Sequence, residues 1–568
     1  MPLVRVGPLV RATNATSVVI WAELSYPCTV LLLAYPSDAI NTAQSQQIRV
    51  HTVTLGGRHY IAPQLQGLHP ATWYSYELAL ATQVEQEEHK ERTDEARVFC
   101  FRTMDADEKS TLQEQPSSSV MHKQLRVAYG SCRKFVAPQV DALSAFGRWL
   151  REHEVQKEAI WPHLLLLIGD QIYADQPSEE IKQQYPQLAD GAKTFEDFAL
   201  LYEYVWTQDN DVRQVLACIP TYMIFDDHEI SNNWNATPQW CATMLATGQE
   251  QVLVDGLIAY WVYQGWGNLS QRDDTLYPLL HLMHEGEQSG EDILEALRVH
   301  IRREVCGERA GRWHYEISTV PPIFVLNARS ERTSIFTQQQ DDIYGPTRIL
   351  SQAQMQEVAM WMQKHDTCPS LLVSSVPILL PPLIGLAEYM MGLRLWAQPI
   401  RWLGIRIAQI QQRVARRTSF DHWPLFSDTW RELVQLLTKR THDIIVLSGD
   451  VHFSYAIEAQ RSFSKAKARL LQLVSTPLQN TLEPQSEQLV TGQARITRTN
   501  YGGLDTRMLQ LRTPDGKKRI QYDMLFQNTL AYVTFTPDET GAYIVQQEYL
   551  VVVNGQLQKA GYTVMKEE

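Results

Sequence analysis

The stretch His163-Leu164-Leu165-Leu166-Leu167-Ile168-Gly169-Asp170-Gln171-Ile172-Tyr173-Ala174-Asp175 decides the fold. An unbroken apolar run without polar alternation suits a strand buried on both faces, and the glycine and carboxylate that follow end it abruptly. The pattern returns in RVAYGS (126–131), TYMIFDDHE (221–229), PIFVLNAR (322–329), SLLVSSVP (370–377), DIIVLSGD (443–450) and ARLLQLVS (468–475), with helical patterns between. An α/β core built on strands buried on both faces is therefore expected from Leu125 onward. Several runs end in polar or ionisable residues: Gly130-Ser131-Cys132, Gly169-Asp170, Asp226-Asp227-His228-Glu229, Asn327-Ala328-Arg329 and Gly449-Asp450-Val451-His452. In open α/β sheets ligands gather at the carboxyl edge of the strands.

The rest of the chain sets limits on this reading. Its 568 residues, 44% apolar and 20% charged, exclude disorder and collagen-like repetition and predict more than one domain. With 64 acidic against 51 basic side chains the net charge is −13, which excludes a surface that grips nucleic acid throughout. The seven cysteines (28, 100, 132, 218, 241, 306, 368) are scattered and free of C-x-x-C, so neither a disulfide framework nor a zinc ribbon is indicated. The amino terminus lacks the pattern of a signal peptide; a cytoplasmic location is expected, with export by an unrecognised route left open. The most apolar segment, Val376 to Leu393, carries Glu388 and three prolines and does not read as a spanning helix.

Before the core, short strands are predicted at 17–24, 29–34, 47–55, 72–80 and 97–103, a small β-sandwich. Leu68-His69-Pro70-Ala71-Thr72-Trp73-Tyr74 places a tyrosine hydroxyl where it can tie a strand corner to upstream backbone, and resembles the tyrosine corner of fibronectin type III domains. The Glu- and Lys-rich 82–96 reads as a solvated excursion and 105–123 as a linker. The expected division is 1–106 sandwich, 107–123 linker, 124–537 core and 538–568 a β extension.

Each strand end is unremarkable alone. Together they supply carboxylates, imidazoles, a thiol and a phenol that can converge, and clustered carboxylates repel unless cations sit among them. A metal cluster is the simplest account.

GSCRKF, GDQIYAD, FDDHEISNNW and SGDVHFS, in that order, resemble the alkaline phosphatase D (PhoD-like) branch of the calcineurin-type metallophosphatases. The resemblance implies a fibronectin type III-like sandwich ahead of a four-layer α/β/β/α core, and hydrolysis of phosphate esters by metal-activated hydroxide. It also implies Fe³⁺ and Ca²⁺, with Mn²⁺ or Zn²⁺ as substitutes. Asp170 would bridge two metals. Tyr173 would bind the ferric ion as phenolate, since a trivalent charge lowers the phenol's pKa from its usual value of about 10. Cys132, where most of the superfamily has aspartate, would bind as thiolate, and His452 would complete that site. Asp227 stands for the asparagine of the superfamily's G-N-H-E motif and Asp450 for its first C-terminal histidine; both favour a harder second cation. His228 is left for substrate phosphate or the leaving group, Arg329 to clamp a phosphate oxygen, and Asn232 and Asn233 to assist or to cap a helix.

Two departures stand out. Asn327 replaces the aspartate common in L-D-x-R, and SLLVSSVP has no counterpart to an expected histidine, so no ligand is assigned there. Ser131 reads as a loop residue, because activated hydroxide makes a protein nucleophile unnecessary.

Residues 389–420 carry six arginines and no Asp or Glu, with Ile400, Leu403, Ile407, Ile410 and Val414 at helical spacing inside an insertion at about 377–420. Three readings are open: a packed helix, a lid that steers anionic substrate, and a peripheral membrane contact that selects phospholipid. Asp421-His422-Trp423 beside it resembles the family's Asp-x-Trp segment. The expected partner is a phosphate mono- or diester. Phosphodiesterase or phospholipase D-like cleavage is the alternative within enzymes, and a degenerate metallophosphatase acting as a binding scaffold the alternative outside them.

Overall fold

The structure is a computed structural model. It describes residues 3–37, 45–80, 99–106, 124–136, 139–232, 244, 246–270, 275–305, 311–332, 347–393, 406–407, 409–411, 414, 421–462, 468–539 and 542–566. The predicted linker at 107–123, the excursion at 82–96, Asn233 and most of the basic 389–420 segment lie outside the described residues.

All seven apolar core runs form strands, in two mixed sheets. In the six-stranded sheet Leu164–Ile168 lies between Thr221–Ile224 and Leu125–Gly130, all parallel. Thr529–Pro537 then pairs antiparallel with Leu125–Gly130, and Tyr543–Val553 and Gln556–Lys566 extend the edge as a meander. The predicted β extension thus continues a core sheet. The nine-stranded sheet holds Ile323–Val325, Ser370–Ser374, Ile444–Ser448 and Leu470–Val474 in parallel.

Side chains divide by strand face. Ile445 and Leu447 join the cluster of Val127 and Leu165 of the six-stranded sheet. Ile444 and Val446 of the same strand pack with Trp361, Trp430 and Leu433 from the helices Gln352–Lys364 and Ser427–Lys439. Both faces are dry, which is why the run carries no polar alternation.

Between the sheets the carboxyl ends are sewn together by backbone. The Leu478 amide donates to the Ser131 carbonyl (2.7 Å), the Gln479 amide to the Cys132 carbonyl (3.1 Å) and the Asp450 amide to Ser131 Oγ (3.1 Å). Ser131 is thus a loop residue that fixes Asp450. A Cβ on Gly449 would sit 2.0 Å from that hydroxyl oxygen, so only glycine permits the approach.

The amino-terminal β-rich region is a five-stranded and a four-stranded sheet enclosing Val18, Ile20, Leu32, Tyr76 and Phe101. Tyr74 Oη accepts the His69 amide at 2.8 Å, the bond anticipated for the corner. The other face of the five-stranded sheet offers Val6, Leu9, Trp21 and Tyr60 to the cluster that fills the α/β core. Trp21 packs on Tyr263, with ring centroids 5.3 Å apart. At this junction Arg58, 3% exposed, pairs with Glu23 (2.5 Å), Glu196 (2.8 Å) and Glu203 (3.1 Å).

Candidate metal centre

Four residues at the strand ends, Cys132, Asp170, Asp450 and His452, hold the left-handed backbone conformation, with φ between 54° and 68°. L-residues adopt it reluctantly, and such strain concentrates at functional sites. Gly169, at φ +84°, brings the Asp170 loop so near the neighbouring strand end that a Cβ would lie 2.4 Å from Asp226 Cβ. Glu229 locks the two loops together: its carboxylate accepts from the backbone amides of Asp170 (3.1 Å), Gln171 (2.7 Å) and Asp226 (2.9 Å) and from Gln264 Nε2 (3.0 Å).

On this frame the donor atoms of Asp170, Asp227 and His228 lie within 4.8 Å of one another, as do those of Asp170, Asp226, Asp227 and Asp450. Tyr173 Oη donates to Asp170 Oδ2 at 3.4 Å and accepts from Asn480 Nδ2 at 2.8 Å. His452 bonds through Nδ1 to the Asn480 carbonyl (2.8 Å), which leaves Nε2 with its lone pair, the tautomer a metal ligand needs. Burial also keeps this imidazole below its ordinary pKa, toward the neutral form.

The electrostatics test whether cations fit. Burial, then Asp226, Asp227, Glu229 and Asp450, push Asp170 far above the carboxylate range. Burial, then Asp170 and Asp450, push up the Cys132 thiol, and burial and Cys132 push up the Tyr173 phenol. The protein alone resists the negative charge these donors carry as ligands, and a multivalent cation is what would supply the compensation. The donor set of thiol, phenol, imidazole and carboxylates fits a hard ion with a softer thiolate contact.

His228 is oriented by Asp175, whose Oδ1 lies 2.8 Å from Nδ1, and stacks on Tyr173 with ring centroids 4.3 Å apart. Burial opposes its cation, but the bond to Asp175 and the charge of Asp227 outweigh it and raise the pKa. Nε2 is thereby left as the working nitrogen.

Of the predicted residues, Asp170, Asp227, His228 and Asp450 bring their donor atoms into two overlapping groups and Tyr173 meets them through Asp170; Cys132 and His452 join neither group, Cys132 Sγ donating instead to the Asp450 carbonyl at 3.6 Å and His452 bonding to Asn480. Asn232 is exposed, and its backbone amide caps Asp175 at 2.8 Å. Arg329 differs most from expectation. It is 1% exposed and its guanidinium meets Asp226, Asp421, Asp450 (3.0 Å) and Asp227 (3.7 Å). With that many carboxylates around it, it serves as their counter-charge instead of facing an open cleft.

Sequence reasoning left Asp175, Asp226, Glu229, Glu388, Asp421 and His422 without roles. His422 Nε2 lies 3.0 Å from Asp450 Oδ2 and Nδ1 lies 2.7 Å from the buried Glu388. Burial opposes its cation, but Glu388 and Asp450 raise it well above the ordinary value. Asp421, His422 and Asp450 also group within 4.8 Å. The Asp-x-Trp segment pointed here, but not to the carboxylate it would meet.

The parallel-strand ends gather carboxylates and imidazoles that could hold metal ions. The family described as PhoD-like phosphatase matches residues 127–504, and the chain belongs to it, which makes the class a metal-dependent phosphoesterase. Residues 1–97 match a domain of unknown function, DUF7800. The solved structure titled "Structure of PhoD" aligns over 100% of this chain and 90% of its own, at 14% identity and a TM-score of 0.61, so the fold is shared across the whole length. GAP50 of Plasmodium aligns at 7% identity over 78% of this chain and 89% of its own, with a TM-score of 0.30. The RsgI4 sensor domain of Pseudobacteroides cellulosolvens aligns at 14% over 19% of this chain and 99% of its own, with a TM-score of 0.14. At those scores neither alignment bears on this chain's fold or function. No curated protein matches it.

Proposed function

We propose that the chain hydrolyses phosphate esters with Fe³⁺ held by Cys132, Asp170, Tyr173 and His452, and Ca²⁺ held by Asp170, Asp227 and Asp450. The observation that carries this reading is Asp170: a carboxylate 1% exposed among Asp226, Asp227, Glu229 and Asp450, whose ionisation burial and those charges oppose and a bound cation would favour. When bound, the ions supply Lewis acidity toward the phosphoryl oxygens and a water acidic near neutral pH.

The protein's own residues do the rest. Asp175 holds Nδ1 of His228, so Nε2 delivers a proton to the departing ester oxygen, and the stacked Tyr173 ring limits the swing of the imidazole. Asn480 fixes both Tyr173 and His452. Arg329 offsets the charge of Asp226, Asp421 and Asp450, and Asn232 and Asn233 lie near enough in sequence to help hold substrate. The Tyr74 corner supports a fibronectin type III-like reading of the sandwich, and the division of side chains by strand face supports a four-layer core.

Activity is measured on chromogenic mono- and diesters, with chelator and with added Ca²⁺, beside metal analysis. Turnover abolished by chelator and restored by Ca²⁺ is expected, and the ratio of the two substrates separates phosphatase from diesterase. Absence of turnover under every metal favours the scaffold reading. Iron bound by Tyr173 gives a visible tyrosinate band that Tyr173→Phe removes; an active, colourless, iron-free enzyme refutes the iron assignment.

A further inference from the structure

Two cysteines outside the metal centre face each other across the junction of sandwich and core. Cys100 lies on Phe99–Arg102, the edge strand of the four-stranded sheet, and Cys218 ends the helix Asn210–Cys218. Beside them Tyr76 Oη donates to the Ala217 carbonyl at 2.8 Å, so strand and helix end are held in contact. The two thiols lie close enough to couple electrostatically, and Cys218 Sγ accepts from Gln214 Nε2 at 3.3 Å. Cys100 is partly exposed and Cys218 is buried.

We propose that Cys100 and Cys218 are a peroxide-sensitive thiol pair whose oxidation to a disulfide ties the amino-terminal sandwich covalently to the catalytic core. The environments assign the roles. The neighbouring Cys218, and then the Lys157 ammonium, hold the Cys100 thiol below its usual range, whereas the neighbouring Cys100 and burial push the Cys218 thiol well above it. Cys100 is thus the attacking thiolate. Its sulfur takes the terminal oxygen of a hydroperoxide: an S–O bond forms, the O–O bond breaks, and the alkoxide leaves as alcohol with a proton. Cys218 sulfur then attacks the Cys100 sulfenic acid; the S–S bond forms, and hydroxide leaves as water with the Cys218 proton. Two thiols lose two electrons and one peroxide gains them.

Helix Asn210–Cys218 leads directly into the strand Thr221–Ile224 that presents Asp226, Asp227 and His228, so the bridge anchors a segment that ends in the metal centre.

The test treats the full-length protein with hydrogen peroxide, alkylates the remaining thiols and maps peptides by mass spectrometry. A Cys100–Cys218 cross-linked peptide is expected, lost on treatment with dithiothreitol. In Cys218→Ser the sulfenic acid should persist on Cys100 and be trapped by dimedone. Full alkylation of both cysteines at a peroxide dose that oxidises glutathione overturns the proposal, as does conversion of Cys100 to sulfinic acid without a cross-link. The wild-type map decides even if Cys218→Ser does not fold.

Discussion

The Asp175–His228 pair is where orientation and chemistry separate most clearly. A general acid matters in proportion to the basicity of the oxygen it protonates, so its removal hurts alkyl esters more than nitrophenyl esters. His228→Asn is expected to lower kcat by about 10²-fold or more on an alkyl phosphate and far less on 4-nitrophenyl phosphate. Asp175→Asn, which keeps the shape but weakens the hold on Nδ1, should show the same leaving-group dependence in milder form with metal content unchanged. Equal losses on both substrates would mean that His228 only binds. His228 was legible because it stands in a motif. Asp175 was not singled out, although five residues past Asp170 it lies in the same loop, because nothing in a linear sequence tells which carboxylate of GDQIYAD turns to the cluster of Asp226, Asp227 and Asp450 and which to the imidazole.

Among the secondary elements, two helical glycines make opposite predictions. Gly147, in Ala142–Glu152, lies against the backbone of Asp211, and a Cβ there would be 2.3 Å from its carbonyl oxygen. Gly147→Ala is expected to destabilise by about 1–3 kcal/mol, since backbone on both sides cannot yield cheaply. Gly492, in Pro484–Gln493, has open space, and Gly492→Ala should stabilise by about 0.5–1 kcal/mol by restricting the unfolded chain. Thermal melts read both, and a shared sign would contradict the packing.

The start of Leu164–Ile168 adds a pH dependence. His163 Nδ1 accepts the Arg126 amide at 3.1 Å, and burial, then the cations of Arg126 and Arg102, lower its pKa to about 3. The unfolded imidazole titrates near 6.5, so between these values acid protonates only the unfolded chain. Stability is unaffected above pH about 6.5 and falls by about 1.4 kcal/mol per unit below it. His163→Asn keeps an acceptor without the titration, so its melting temperature should drop less than the wild type's between pH 7.5 and pH 5; an equal drop would exclude His163 as the source. The core strands were readable because each is apolar on both faces. Arg58–Ile61 and Gln64–Gln66 escaped because pairing to neighbours, not their own apolarity, makes them strands.

For the whole molecule, the sandwich and the core share one apolar interior. Sequence suggested a module on a linker, since its strands and turns satisfy a small domain by themselves; the second buried face of the five-stranded sheet could be recognised only from the partner it meets. Val6, Leu9, Trp21 and Tyr60 are each no more than 1% exposed, and all belong to the cluster that includes the strands bearing Cys132 and Asp170. The sandwich therefore supports the metal centre mechanically, and the two parts should unfold together. The ion pairs at the junction sharpen the expectation. Glu23 is fully buried, and Arg58→Met would strand its charge, a loss of about 3–5 kcal/mol for a broken buried pair. Calorimetry of the intact chain should show one transition that Arg58→Met moves down as a unit, with activity and sandwich structure lost at the same temperature. Two transitions, only the lower one shifted, would mean that the sandwich is a tethered domain after all and that the metal centre stands without it.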